Sequence, residues 1–305
     1  MDKQRLKTSI VTALAEGASR LPMPVLYGIS SGLSALMSRF RIYRYKVIED
    51  NLRKAMPELS DRERKKVIKR YYGHLADSIV ETLKLLSISD KELKEKVEFH
   101  GFEQLDADVA AGRPVILYLG HYGNWELVPA ITWVLPKEFT CAQIYRPFSD
   151  GASSEVMYRI RNRFGALNIP QRQAFRTLVR LKNEGKQTIT GFIADQRPNE
   201  GGDRLQHWTT FMGLDTPFAP GGEEIGNRIG ARFYYLDVDS PKRGHCSITL
   251  VPIVPAEGEE YPYTVAYMRM LEKTIRRNPA LWLWSHKRWS IQRHKADANE
   301  NDKTT

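Results

Sequence analysis

Residues 115–127 read VILYLGHYGNWEL, and this stretch predicts both a buried strand and the residue that ends it. The five apolar residues from Val115 to Leu119 have the length and composition of a strand that is buried on both faces. Gly120 and Gly123 flank His121 and allow the backbone to turn sharply there. The pattern therefore predicts a strand that ends in a tight turn carrying a histidine.

Strand-like runs alternate with helical patterns from residue 97 onwards. Further runs lie at 140–145, 188–194, 233–238 and 246–253, and helical patterns lie at 124–134, 152–164, 173–184, 222–229 and 263–277. This alternation predicts an α/β fold whose mixed, largely parallel sheet is flanked by helices. Residues 1–96 read as helices alone. We therefore divide the chain into an N-terminal helical, membrane-associating region (1–96), an α/β domain (97–292) and a polar tail (293–305) predicted to be disordered.

The formal net charge of +10 favours an anionic partner, which could be lipid, an acidic carrier protein or nucleic acid. The longest early stretch without charge, residues 21–38, contains two prolines and four serines and is marginal in length for crossing a bilayer. Basic residues alternate with apolar and aromatic ones directly after it: Arg39, Arg41, Arg44 and Lys46. Such a segment is typical of a helix that lies in the membrane interface. The alternative is an amphipathic helix that packs on the protein's own core.

His121 lies at the predicted carboxyl end of a strand, where α/β proteins bind their ligands. Glu126 follows five residues later, in the first turn of a predicted helix, from which its carboxylate can accept a hydrogen bond from one imidazole nitrogen. The other nitrogen is then free to take a proton from a hydroxyl group. The spacing also fits a histidine at a helix start with a glutamate that complements the helix dipole. No other histidine is spaced as a zinc ligand, so no metal is expected.

Charged residues follow two further strand-like runs. Asp195 comes directly after the run at 188–194, and it shares an edge of the sheet with His121 if the strands run parallel. The segments YRP and YRIRNRFG contain four arginines: Arg146, Arg159, Arg161 and Arg163. The planar fork of arginine suits a phosphate or an oxyanion. Four arginines near an acid–base pair therefore predict an anionic substrate.

Five segments, in this order and spacing, resemble the late (secondary) lipid A acyltransferases, the lauroyl and myristoyl transferases of lipopolysaccharide biosynthesis. They are GHYGNWE at 120–126, YRP at 145–147, RNRFG at 161–165, ADQRP at 194–198 and the block 279–289, which contains LWSHKRW. The resemblance extends over most of the chain. It implies an α/β fold like that of glycerol-phosphate acyltransferases.

The resemblance also implies a reaction, the transfer of a fatty acyl chain from acyl carrier protein to a hydroxyl of a Kdo-bearing lipid A precursor. The reaction takes place at the cytoplasmic face of the cell inner membrane. His121 and Glu126 match the catalytic dyad of the family. The expected substrate-binding residues are Arg146, Arg161, Arg163 and Asp195. No cofactor is expected because the donor thioester is already activated, and another membrane glycolipid or aminolipid is the alternative acceptor.

A protein of a different class, a basic nucleic-acid-binding module, is the second hypothesis. Trp282, Trp284 and Trp289 lie beside Lys287 and Arg288 and could serve as a stacking platform for bases. Acyl transfer predicts that acyl carrier protein is released with a free thiol. The binding module instead predicts salt-dependent retention on single-stranded oligonucleotide without turnover. We expect acyl transfer, and with it no nucleic-acid partner.

Overall fold

The computed structural model describes residues 3–146, 151–198, 207–291 and 293. The predicted disordered tail lies outside these residues except for Arg293. Helices fill the first part of the chain: α1 (Lys3–Ser19), α2 (Met23–Phe40), α3 (Tyr45–Ala55), α4 (Asp61–Lys84) and α5 (Asp90–Lys94). A capping box starts α4, because the Ser60 hydroxyl accepts from the backbone N–H of Glu63 and the Glu63 carboxylate bonds back to the Ser60 N–H.

Strands and helices alternate from Val97 onwards. In chain order the elements are β1 (Val97–His100), α6 (Leu105–Ala110), β2 (Val115–Leu119), β3 (Phe139–Tyr145), α7 (Gly151–Asn162), β4 (Leu167–Pro170), α8 (Ala174–Asn183), β5 (Gln187–Ile193), β6 (His207–Phe211), β7 (Leu214–Phe218), α9 (Gly221–Ile229), β8 (Arg232–Asp239), β9 (Cys246–Pro252) and α10 (Pro262–Arg277). Residues Trp125–Trp133, after β2, form a 3₁₀ helix where the sequence predicts an α-helix.

Seven strands form one sheet in the order β1-β9-β8-β2-β5-β3-β4. Neighbouring strands pair in parallel except β8 and β9, which are antiparallel. The predicted mixed, largely parallel sheet flanked by helices is thereby confirmed. The sequence analysis missed β1, β4 and the antiparallel pair β6–β7, because these strands are short and carry no continuous apolar run.

The register of the central strands positions the site. All five residues of β2 are buried between β8 and β5, as expected for a strand covered on both faces. Leu119 pairs with Ile193, so β2 and β5 end at the same edge of the sheet. His121 and Asp195 each lie two residues beyond this pair and meet at that edge.

Helix α2 packs on α4 with one face and exposes the other. Leu26, Ser30 and Met37 are buried, and the Tyr27 hydroxyl donates to a Glu81 carboxylate oxygen at 2.9 Å. The uncharged segment 21–38 therefore docks partly on the protein's own core, as the alternative interpretation predicts. None of the described helices is long and apolar enough to cross a bilayer.

Candidate active site

The turn after β2 is held in place by packing and by the C-terminal tryptophan segment. A Cβ atom on Gly120 would lie 2.7 Å from a terminal methyl group of Leu271 in α10, so a larger residue there would require the Leu271 side chain to move. Gly123 has a φ of +61°, which favours glycine. Its N–H donates to the Leu281 carbonyl at 3.0 Å, and the Leu283 N–H donates to the His121 carbonyl at 3.1 Å. Two backbone bonds and one close contact thus fix the position of His121.

The imidazole of His121 is paired with the carboxylate of Asp195. The distance from His121 Nδ1 to Asp195 Oδ1 is 2.6 Å, and the His121 backbone N–H donates to Oδ2 at 2.9 Å. The indole N–H of Trp282 also donates to Oδ2, at 2.8 Å. Because an ionised carboxylate only accepts, the imidazole carries a proton on Nδ1, which leaves Nε2 as an acceptor.

The Asp195 carboxylate is ionised although it is fully buried. Burial alone raises the pKa of this group, but the charge and hydrogen bonds of His121 and the bond from Trp282 lower the pKa to about 2. The His121 side chain, in contrast, is 18% exposed. A buried anion thus supports an imidazole whose ring remains accessible.

The second ring nitrogen of His121 faces Gln196. The amide nitrogen of Gln196 lies 3.3 Å from Nε2, a long and therefore weak hydrogen bond that a substrate hydroxyl can replace. Trp125 packs against the imidazole in a T-shaped contact, with ring centroids 5.0 Å apart. This environment orients the ring and leaves one polar position on it for a substrate.

The predicted hydrogen bond between His121 and Glu126 is not formed. Glu126 instead accepts two hydrogen bonds from Arg161, at 3.0 Å from Nε and 2.6 Å from Nη2. The sequence analysis assumed an α-helical first turn, whereas Glu126 lies in a 3₁₀ helix and its carboxylate meets α7. Asp195 takes the place on His121 that we predicted for Glu126.

The predicted cluster of arginines is also divided among several partners. Arg159 binds Glu16 and Glu155, and Arg161 binds Glu126. Arg163 donates to the backbone carbonyls of Leu85 and Ile88 and to Asp90. Because each of these three arginines is held by a different set of acceptors, they do not converge on one ligand.

Two of the four arginines therefore keep a position near the site. Arg161 reaches the segment that follows His121 through its pair with Glu126. Arg146 is exposed and directly follows β3, which ends at the same edge of the sheet as its neighbour β5. Arg163 instead joins the end of α7 to the segment between α4 and α5.

Trp282 and Gln196 are site residues that the sequence analysis did not predict. For Trp282 a partial signal existed, since a buried indole N–H usually has an acceptor, but the sequence does not show which acceptor it meets. The tryptophans do not form an exposed stacking platform, because Trp282, Trp284 and Trp289 are at most 9% exposed. Their burial removes the feature on which the nucleic-acid hypothesis rested.

The side chains around His121 lie in the part of the chain that the structure describes. No group of three histidine, cysteine, aspartate or glutamate side chains there is arranged to hold a metal ion. The site consists instead of an accessible imidazole, a buried carboxylate and a neighbouring arginine–glutamate pair. This set of groups suits proton transfer.

Known proteins resemble this chain over almost its whole described length. The family described as bacterial lipid A biosynthesis acyltransferase matches residues 3–290. The lipid A biosynthesis lauroyltransferase of Escherichia coli K12 is 23% identical over 284 residues, which cover 90% of this chain and 88% of that protein. The lipid A biosynthesis palmitoleoyltransferase of the same organism is 25% identical over 278 residues, which cover 90% of this chain and 87% of that protein. The chain belongs to the bacterial lipid A biosynthesis acyltransferase family.

Proposed function

We propose that the protein transfers a fatty acyl chain from acyl carrier protein to a hydroxyl of a Kdo-bearing lipid A precursor. Membership of the acyltransferase family and the names of two relatives support the reaction and the acceptor class. The observation that carries the chemistry is the 2.6 Å contact between His121 and Asp195, in an imidazole whose side chain is 18% exposed. This is the base-and-orienter arrangement that activates a hydroxyl nucleophile.

In the proposed mechanism the acceptor hydroxyl replaces Gln196 at Nε2 of His121. The hydroxyl proton moves to Nε2 as the oxygen attacks the thioester carbon, and the buried Asp195 carboxylate stabilises the imidazolium that forms. Collapse of the tetrahedral intermediate breaks the carbon–sulfur bond, and the leaving thiolate takes the proton from Nε2. The products are the ester and the free thiol of acyl carrier protein, the imidazole is again neutral, and no cofactor is needed.

We propose that Arg161 and Arg146, rather than Arg163, contact the anionic acceptor. The side chain of Arg161 is 17% exposed and is hydrogen-bonded to Glu126, which follows His121 by five residues in the sequence. Arg146 is exposed at the same edge of the sheet. The resemblance implies a catalytic role for Glu126, and we propose that Glu126 performs this role through its hydrogen bonds with Arg161.

We further propose that the enzyme lies on the cytoplasmic face of the inner membrane through α1, α2 and the turn after α2. Large apolar side chains are exposed on α1, on α2 and in the segments that follow them, mostly at spacings of three or four residues: Leu6, Ile10, Leu14, Leu21, Val25, Ile29, Leu33, Leu36, Phe40 and Ile42. We call this set the apolar face. The basic residues Arg39, Arg41, Arg44 and Lys46 border it and favour an anionic bilayer. The net positive charge also favours an acidic carrier protein.

Incubation of the purified enzyme with acyl carrier protein thioesters and a set of glycolipids tests the function. Dodecanoyl, tetradecanoyl and hexadecenoyl thioesters are offered together with a Kdo-bearing lipid A precursor, the precursor without Kdo and an unrelated aminolipid. Mass spectrometry follows the added acyl chain, and a thiol reagent follows the released carrier protein. We expect one acyl addition to the Kdo-bearing acceptor.

His121→Ala should abolish the transfer, whereas His100→Ala, which changes an exposed histidine on β1, should leave it unchanged. Acylation of the aminolipid alone would replace the acceptor we propose. Thiol release that is equal in His121→Ala would contradict the mechanism.

A further inference from the structure

The side chain of Asn124, in the turn that carries His121, bonds to helix α4 and not to its own segment. Asn124 occupies the N-cap position of the 3₁₀ helix Trp125–Trp133, where an asparagine normally accepts a hydrogen bond from that helix, but its side chain makes no such bond. Its amide nitrogen instead donates to Glu81 Oε2 at 3.1 Å, and its amide oxygen accepts from the Thr82 hydroxyl at 3.3 Å. Asn124 is only 6% exposed. No step of the proposed reaction uses this buried amide.

One side of α4 presents polar groups to the turn. His74, Ser78 and Glu81 follow one another at spacings of four and three residues, which places them along the same side of the helix. The His74 imidazole hydrogen-bonds the Gly123 backbone, and the Ser78 hydroxyl lies 3.3 Å from His74 Nε2. Side chains of α4 therefore hold two consecutive residues of the turn, Gly123 and Asn124.

Glu81 also reaches helix α2, so its carboxylate joins two elements of the protein. The Tyr27 hydroxyl donates to Oε1 at 2.9 Å, and Asn124 donates to Oε2. The Arg243 guanidinium, from the connection between β8 and β9, stacks on the Tyr27 ring at 4.2 Å from its centroid. The next residue, Gly244, has a φ of +78°, and a Cβ atom there would overlap the Tyr27 hydroxyl oxygen. The phenol is therefore held by a carboxylate, a cation and the backbone beside it.

The position of Asn124 affects the groups around the imidazole. The next residue, Trp125, packs against the His121 ring with centroids 5.0 Å apart, and Glu126 follows it in the same 3₁₀ helix. A shift of Asn124 would move Trp125 and the turn, because they belong to the same short segment, whereas Asp195 follows a different strand. A displacement of about 1 Å at a reacting group can reduce a reaction rate about 10²-fold.

We propose that Glu81 is a positioning residue that holds the His121 turn on α4 through Asn124 and connects that turn to α2 through Tyr27. The role rests on the proposed function, in which His121 accepts the proton and α2 contacts lipid. Glu81 acts through Asn124 and not on the reacting atoms. Because Tyr27 lies on the helix that carries much of the apolar face, one carboxylate joins the lipid-contacting helix to the catalytic turn.

A double-mutant cycle on kcat tests the role in the full-length enzyme. Glu81→Met and Asn124→Leu each remove the hydrogen bond with a side chain of similar size. Each should lower kcat by about 10–10²-fold while the KM for both substrates is unchanged. Because both changes remove the same contact, the double variant should lose no more than the larger of the two single losses. A purely structural role would instead lower the denaturation midpoint and leave the kcat of the folded enzyme unchanged.

Two conservative variants and a control define which bond matters. Glu81→Gln keeps the length of the side chain, and its amide can bond Asn124 once the asparagine amide turns over, so it should retain most of the kcat that Glu81→Met loses. Tyr27→Phe removes only the bond to α2 and should lower kcat by about two- to tenfold. An unchanged kcat in Tyr27→Phe would contradict the connection to α2. Tyr234→Phe is the matched control, since it removes a buried tyrosine–carboxylate bond of 2.6 Å, between β8 and Asp108 of α6, and should leave kcat unchanged.

Hydrogen exchange measures the turn without turnover. Mass spectrometry of a peptide covering residues 120–127 reports the Gly123 N–H, which donates to the Leu281 carbonyl, and the Leu127 N–H, which donates to the Asn124 carbonyl. Exchange in this peptide should be about tenfold faster in Glu81→Met and in Asn124→Leu, and unchanged in Tyr234→Phe. If the wild type transfers no acyl chain, the proposed function fails, while exchange still decides whether Glu81 holds the turn.

Three results would overturn the inference. One is wild-type kcat together with wild-type exchange in a folded Glu81→Met. Another is a double variant whose loss in kcat equals the product of the two single losses, since Glu81 and Asn124 would then act independently. The third is an equal loss in Glu81→Met and Glu81→Gln, because the effect would then follow the charge of the carboxylate and not its hydrogen bonds. Should Glu81→Met fail to fold, Glu81→Ala replaces it in both measurements.

Discussion

His121 and Asp195 lie opposite each other because each follows its strand by the same two residues. The pair Leu119–Ile193 is the last in the parallel register of β2 and β5, and the Nδ1–Oδ1 contact of 2.6 Å forms just beyond it. The two halves of the site are 74 residues apart in the chain. The contact between them therefore depends on the order of the strands and not on any local motif.

Asp195→Asn should remove most of the activity without unfolding the protein. The amide has nearly the shape of the carboxylate but cannot stabilise an imidazolium by charge, so we expect kcat to fall by about 10²–10⁴-fold. Steady-state kinetics measure the loss, and near-ultraviolet circular dichroism verifies the tertiary structure. Activity within about twofold of the wild type would exclude Asp195 as the partner of His121.

Glu126 and Arg161 should behave as one unit in a double-mutant cycle. Their two hydrogen bonds are mostly buried, so either single change, Glu126→Gln or Arg161→Met, leaves a charge unpaired and should be strongly destabilising, by about 3–5 kcal/mol. The double variant should lose less stability than the sum of the two single variants. Urea unfolding gives the free energies, and additive losses would mean that the pair does not interact.

The sequence predicted individual strands of the sheet better than the order in which they pair. The strands β2, β3, β5, β8 and β9 carry runs of apolar or β-branched residues, which identify buried strands directly. The shared edge of His121 and Asp195 followed from a parallel arrangement, which the alternation of strands and helices predicts. The adjacency of β2 and β5 could not be predicted, because strand order depends on packing among distant segments.

The errors at the site arose where local spacing was taken as sufficient. The choice between an α-helix and a 3₁₀ helix at Trp125–Trp133 decides where Glu126 points, and Pro129 inside that segment disfavours a regular α-helix. Arg159 and Arg161 lie two residues apart on α7, a spacing that separates them on a helix, and Arg163 follows the end of that helix. The full burial of Arg288 could not be predicted, because it is a charged residue at the end of the polar segment SHKR at 285–288.

Acidification should destabilise the protein partly through His286. Burial and the neighbouring cations lower the pKa of this imidazole to about 4 in the folded state, compared with about 6.5 in the unfolded chain. The unfolded chain therefore binds the extra proton first. The stability that depends on a neutral His286 is therefore fully present above about pH 6.5 and is lost as the pH falls towards 4.

His286→Gln keeps an acceptor for the Arg197 N–H but does not titrate. The free energy of unfolding from urea titrations at several pH values should therefore fall less steeply between about pH 6.5 and 4 in this variant than in the wild type. His100→Gln is the control, because His100 is an exposed histidine at the end of β1. Equal slopes for His286→Gln and the wild type would contradict a neutral, partly buried His286.

Arg163 should contribute to stability and not to substrate binding. Its guanidinium bonds the Leu85 and Ile88 carbonyls and Asp90, and its side chain is only 20% exposed. Arg163→Ala should lower the free energy of unfolding by about 1–3 kcal/mol, with the KM for both substrates unchanged below the melting temperature. A rise in the KM for the glycolipid would return Arg163 to the site as a residue that binds phosphate.

Membrane attachment should depend on the apolar face and be peripheral. Ile29 and Leu33 are exposed on α2, while Ser30 between them is buried against Asp77 of α4, so the helix stays on the protein while its outer side meets the lipid. A glutamate at either position places a charge in the headgroup region, and Ile29→Glu with Leu33→Glu should reduce binding to anionic vesicles at least tenfold. Neutralising Arg39, Arg41, Arg44 and Lys46 should weaken binding at low salt most, since each contributes about 1 kcal/mol.

Val254→Glu is the matched control for the apolar face. Val254 is 79% exposed, more than any apolar residue of that face, but it follows β9 and lies outside α1 and α2. If exposure alone determined lipid binding, this variant would lose as much affinity as the α2 variants; we expect it to bind like the wild type. Vesicle sedimentation with phosphatidylglycerol and with phosphatidylcholine separates the contribution of the apolar face from that of the four basic residues. Only binding to the anionic vesicles should respond to changes in the basic residues. Retention in the membrane after alkaline carbonate, released only by detergent, would show that the attachment is a spanning segment and not the surface contact proposed for α1 and α2.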